Sequence, residues 1–122
     1  MTNEIFDRLI NNQLFTRLTW LRFIGFEFWM VGFTPFFIGY VVSSRELYSF
    51  DLFYGFLIIA LLTSSTFVLN HICDIDLDKR NPRKEFSLLV RGTLSLRSSW
   101  LLFWILQLSC IILSLKFNSE FL

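Results

Sequence analysis

From Asn70 to Lys84 the sequence reads NHICDIDLDKRNPRK. Asn70, Asp74 and Asp78 recur at intervals of four, so on a continuous helix their side chains stack along one face. One amide oxygen and two carboxylates in a column make a set of hard oxygen donors. Like charges one turn apart repel, which calls for a cation to offset them. Mg²⁺ suits such a set, because it prefers oxygen, keeps several waters, and takes one or two carboxylates together with substrate phosphates. Asp76 falls on the other side of the turn and stays outside the set. Lys79, Arg80, Arg83 and Lys84 follow at once. Acids followed by bases fit a metal-bridged diphosphate, in which the metal joins carboxylates to phosphate oxygens and the bases neutralise the remaining charge. Asn81-Pro82 ends the helix or turns the chain, leaving Arg83 and Lys84 on a loop able to fold over a ligand. The competing reading is a plain topology anchor, since exposed acid–base pairs contribute only ~0–1 kcal/mol. The four-residue spacing favours the ligand reading.

The elements that must position these groups are membrane helices. The chain of 122 residues is 54% hydrophobic, with mean hydropathy +0.56, sixteen Phe and four Trp. A soluble domain of this length has too little interior for that much apolar surface, so a lipid bilayer is the expected solvent. A span needs ~20 mostly apolar residues. Phe23 to Val42 fits, with Glu27 and Pro35 inside it; Leu52 to Leu69 carries no charge; Trp100 to Leu115 is short and is extended by Ser98 and Ser99. Pro35 removes a backbone hydrogen bond and is expected to kink the first span. Upstream, Ile5, Phe6, Leu9, Ile10 and Phe15 recur at helical spacing, which suggests an amphipathic helix lying on the membrane surface. The sequence is therefore expected to be an all-α, polytopic membrane bundle of three transmembrane helices with an N-terminal interfacial helix.

Charge orients that bundle. Nine of the eleven basic residues precede the first span or lie between the second and third, leaving Arg45 and Lys116 on the other side. The positive-inside rule puts the nine, and with them Asn70–Lys84, at the cytoplasmic face of the cell membrane. No cleavable signal peptide is evident among the first residues. Cys73 and Cys110 are too few for a disulfide framework and have no metal-ligand spacing, so both are expected to be free thiols. Nothing suggests a nucleic-acid partner.

At these residues the sequence resembles the UbiA superfamily of intramembrane prenyltransferases, whose first aspartate-rich motif, N-D-x-x-D-x-x-x-D, ends the second transmembrane helix. Asn70, Asp74 and Asp78 match it position for position, and His71 stands where the family usually has an acid. Gly92 to Ser95, GTLS, is similar to the ending that precedes the third helix. Ser87-Leu88-Leu89 departs from the Arg-Pro-Leu often seen there. NPRK is similar to lycopene-elongase-like members and, more loosely, to polyprenyl-phosphate phosphoribosyltransferases.

The resemblance implies Mg²⁺-dependent transfer of an isoprenyl group from an isoprenyl diphosphate to an acceptor, within a bilayer. It implies Asn70 and Asp74 as metal ligands, Asp78 as a ligand directly or through water, and Lys79, Arg83 and Lys84 as diphosphate contacts. Arg22 is a further candidate for the diphosphate, or snorkels to lipid headgroups. The family fold has about nine membrane helices of the ~20-residue kind and a second aspartate-rich motif facing the first. SLKFNSEFL, at the end of the sequence, offers no such motif. Residues 1–122 are thus expected to be the N-terminal part of such a domain, inactive alone and completed by a missing C-terminal half or a partner subunit. The alternative is a non-catalytic or degenerate membrane protein.

Two further residues draw notice. His71 reads as a hydrogen-bonding substitute for the family's acid rather than a proton carrier. Glu27 is an intramembrane acid, which marks either a functional group or the partner of Arg22.

Overall fold

The computed structural model describes residues 17–44, 49–85 and 87–119, and every regular element among them is helical. The interfacial helix expected over Ile5 to Phe15 lies outside the described residues. The first helix, α1, covers residues 17–23. A 3-10 turn at Phe26–Phe28 leads into α2, Trp29–Ser44. Next come α3, Phe50–Cys73, then the single turn α4, Ile75–Asp78, a 3-10 turn at Pro82–Lys84, and α5, Leu96–Ser119.

The first span begins later than Phe23, because the chain turns at Gly25. Gly25 adopts φ 65°, a left-handed conformation that needs no side chain. The Phe67 ring fills the space where a Cβ at Gly25 would stand. Pro35 sits inside α2 without ending it.

Both other spans are longer than the apolar runs alone imply, because serines cap them. Ser49 opens α3 by accepting the Leu52 amide at 3.3 Å. Before α5, Ser95 accepts the Ser98 amide at 3.1 Å, so the helix starts at Leu96 rather than Trp100. Phe26–Ser44, Phe50–Cys73 and Leu96–Lys116 are each long and apolar enough to cross a membrane. The 24 residues of α3 extend about 36 Å, past a hydrocarbon core of about 30 Å. Its far end therefore reaches the boundary where charged groups can sit.

α3 packs against both α2 and α5. Small and polar residues set that packing, as is usual where lipid removes the hydrophobic contrast between helices. The Phe36 ring lies over Gly55, in space a Cβ there would occupy. Trp29 Nε1 donates to Ser64 Oγ at 3.0 Å, and Ser65 Oγ donates to Gln107 Oε1 at 2.9 Å. No residue of α2 is buried, and large apolar side chains such as Val31, Val42, Leu101 and Ile112 face outward. That outward surface suits a lipid surrounding.

The apolar core lies at one end of the bundle. Phe23, Val68, Ile72, Leu88 and Leu89 are buried together there, with Ile75, Leu94 and Leu102 packed against them. Leu88 and Leu89 thus anchor the α4–α5 connection, and turn bonds such as Leu94 N to Leu88 O at 3.1 Å hold its shape. Of the Ser-Leu-Leu segment, the two leucines thus belong to the apolar core.

Candidate functional site

The end of α3 does not run on as one straight helix. Asp74 sits at the joint with φ −92° and ψ 5°, the sparsely populated bridge region between helix and strand. Two bonds still cross the joint: Asp74 N to Asn70 O at 2.9 Å, and Asp78 N to Asp74 O at 2.8 Å. The donors are consequently divided. Asn70 and Asp74 are exposed, whereas Asp78 is buried, with 9% of its surface accessible.

The Asp78 carboxylate meets two nitrogens. Lys84 Nζ lies 3.6 Å from Asp78 Oδ2, and His71 Nδ1 lies 3.8 Å from the same oxygen. Local sequence brings Lys84 back. Asn81 Oδ1 accepts the Arg83 amide at 3.0 Å, Pro82 fixes the first residue of the 3-10 turn, and Lys84 N bonds Asn81 O at 2.9 Å.

Beside this pair opens a cleft of about 460 Å³. Arg22 and Phe23 line it from α1, Glu27 from the following turn, Phe67 and His71 from α3, and Arg83, Lys84, Ser87 and Leu88 from the connection to α5. Three cations thus face one carboxylate, which gives the cleft a net attraction for anions. The walls also carry Leu18, Phe67 and Leu88, so a molecule with a charged head and an apolar tail meets both of its needs there. Phe23 stacks on His71, with ring centroids 4.8 Å apart. Ser87 Oγ is buried without a hydrogen-bond partner among the described residues.

The residues singled out in the sequence fall into three places. Arg22, Arg83 and Lys84 converge on the cleft. Lys79 is exposed at the turn after α4, away from the cleft walls. Asn70 and Asp74 are exposed at the helix end, while the buried Asp78 is paired with Lys84. Among the described residues no three His, Cys, Asp or Glu side chains gather closely enough to hold a metal ion. What Asn70 and Asp74 offer is an amide oxygen and a carboxylate one turn apart. That pair fits Mg²⁺ when waters and phosphates complete the shell, since Mg²⁺ takes as few as one or two carboxylates from a protein.

The fold brings to the cleft several groups that the sequence does not mark as such. Phe67 is one of sixteen Phe, and His71 reads in the sequence only as a replacement. A signal existed: His71 and Asp78 are two turns apart, within about 20° of each other around a 3.6-residue helix. Ser87 had no such signal, because its position depends on how Leu88 and Leu89 bury.

The model of the UbiA prenyltransferase family matches residues 32–122, which takes in most of α2 and all of α3 to α5. No curated protein and no solved structure matches the chain. Arg22, Phe23 and Glu27 precede the matched region.

Proposed function

The chain belongs to the UbiA prenyltransferase family, and from that premise we propose that this bundle supplies the diphosphate-holding half of a membrane prenyltransferase site. The substrate is an isoprenyl diphosphate, and the prenyl group passes from it to an acceptor. The observation that carries this reading is the convergence of Arg22, from α1, with Arg83 and Lys84, from the α4–α5 connection, on one cleft with apolar walls.

The chemistry follows from charge. As the bond between the prenyl carbon and the diphosphate oxygen breaks, negative charge grows on the leaving group. Cations already fixed around it stabilise that charge most where water is scarce. Asn70 and Asp74 would hold Mg²⁺, with Asp78 joining directly or through water. Bound there, the ion would neutralise further charge on the leaving diphosphate. The facing acidic donors that the family resemblance implies would come from a further segment or a partner subunit. Arg17, Arg22, Lys79, Arg80, Arg83, Lys84, Arg91 and Arg97 all belong to the cleft end of the bundle or its connections, which supports a cytoplasmic position for the cleft.

One observation favours a second reading, a non-catalytic family member: the Asp78 carboxylate is already paired with Lys84. The test uses membranes containing the protein with its native partners, supplied with radiolabelled isoprenyl diphosphate and Mg²⁺. Transfer that is lost in EDTA and lost in Asp74→Asn supports the first reading. Mg²⁺-dependent transfer unchanged in Asp74→Asn removes the ligand role, and no transfer at all by the assembled protein leaves the second reading standing.

A further inference from the structure

We infer that Asp78 acts through Lys84: it holds the lysine while the cleft is empty, and an arriving phosphate takes the lysine and so frees the carboxylate for a cation. This rests on the diphosphate reading of the cleft, and it assigns to the Asp78–Lys84 pair a positioning role between the two halves of the site. Lys84 is the one residue of the pair that reaches both places. Its side chain is 43% exposed and lines the cleft, whereas that of Asp78 is 12% exposed and does not.

The exchange follows from the surroundings of Asp78. A buried carboxylate needs a counter-charge, because leaving it uncompensated is strongly unfavourable. Of the groups around it, Lys84 at 3.6 Å is the fixed cation, and His71 at 3.8 Å serves only when protonated. Lysine carries three donors on a flexible four-carbon stem, so its ammonium can move from carboxylate to phosphate by changing rotamer while the backbone stays capped by Asn81. Once it leaves, Asp78 attracts another cation. Phosphate binding thereby raises cation affinity at Asp78, and by reciprocity the cation raises phosphate affinity.

The test compares wild type, Asp78→Asn, Lys84→Gln and the double variant, each as the purified full chain in detergent and shown monodisperse by gel filtration. Inorganic pyrophosphate binding is measured by calorimetry in EDTA. Asp78→Asn should tighten binding about three- to fivefold, the range of a part-exposed ion pair, and the gain should vanish when Lys84 is already Gln. An equal gain in both backgrounds means a general charge effect and overturns the exchange. Mn²⁺ binding without phosphate, read by the loss of the free-ion resonance, gives a second arm that needs no change at Asp78. Lys84→Gln should bind Mn²⁺ more tightly than wild type, and unchanged or weaker binding overturns the proposal. Wild type that binds no pyrophosphate, with or without Mg²⁺, overturns the diphosphate reading itself and the exchange with it.

Discussion

The rings of Phe23 and His71 lie face to face, with planes 10° from parallel and centroids 4.8 Å apart. This contact joins α1 to the last turn of α3, and it sets Arg22, the neighbour of Phe23, at the cleft wall. It also fixes the imidazole whose Nδ1 faces Asp78. One aromatic pair thus links the cationic wall to the buried acid.

Phe23→Ala should therefore remove both stability and binding. Phe23 is 2% exposed and belongs to the apolar core, and deleting a buried Phe side chain costs about 3 kcal/mol or more. The expected result is a lower thermal midpoint in detergent together with weaker pyrophosphate binding. Phe23→Leu should restore most of the stability. An unchanged midpoint for Phe23→Ala would show that α1 is seated by other contacts.

The cations should divide by position rather than by charge. Arg22→Ala and Arg83→Ala each remove a group from the cleft wall, and each should weaken pyrophosphate binding about tenfold, as expected for losing a charged hydrogen bond. Lys79 is exposed and away from that wall; Lys79→Ala should change binding less than about twofold at physiological salt, where exposed charges are screened. Calorimetric titration of the three variants checks this. Equal losses for all three would mean that the anion is drawn by the general field and not by the cleft.

Three glycines give a graded stability series. Gly25→Ala meets both a positive φ of 65° and the Phe67 ring, Gly92→Ala meets only a φ of 73°, and Gly39→Ala meets open space inside α2. A left-handed backbone costs an ordinary residue about 1–2 kcal/mol, whereas Gly to Ala in an open helix position gains up to ~1 kcal/mol. Unfolding midpoints should fall most for Gly25→Ala, less for Gly92→Ala, and hold or rise for Gly39→Ala. Any other order would mean that the turn at Gly25 can be rebuilt without harm.

Between α3 and α5, the Ser65–Gln107 hydrogen bond of 2.9 Å crosses two membrane spans. A double-mutant cycle with Ser65→Ala and Gln107→Leu should return a coupling of about 0.6 kcal/mol, the average for such bonds in a bilayer. The value is small because the single Ser65 hydroxyl hydrogen turns to Leu62 O, 2.8 Å away, when Gln107 is removed. Strictly additive effects would show that the pair does not hold the two helices in register.

Three apolar runs were enough to define three spanning helices, since a length of ~20 residues without compensating polarity leaves a chain few alternatives. Their ends were less legible. Ser49 and Ser95 each cap a helix that starts a few residues before its apolar run, and such caps are ambiguous until the neighbouring backbone is known. Phe23 looked like the start of a span, because its apolar character is the same whether it faces lipid or a core. Only the left-handed turn at Gly25, made possible where Phe67 comes close, assigns it to the core.

The sequence by itself determined the membrane-helix class, the candidate oxygen donors at four-residue spacing, and the basic residues following them, since all three are properties of composition and periodicity. Tertiary structure decided which of these groups share a space. It turned Asp78 inward to Lys84 and His71, left Asn70 and Asp74 exposed, and brought Arg22 from another helix to the cleft that Arg83 lines. The reason is physical: periodicity fixes the direction of a side chain only within one unbroken helix. Here the break at Asp74 and the burial of Leu88 and Leu89 set the directions on either side of it.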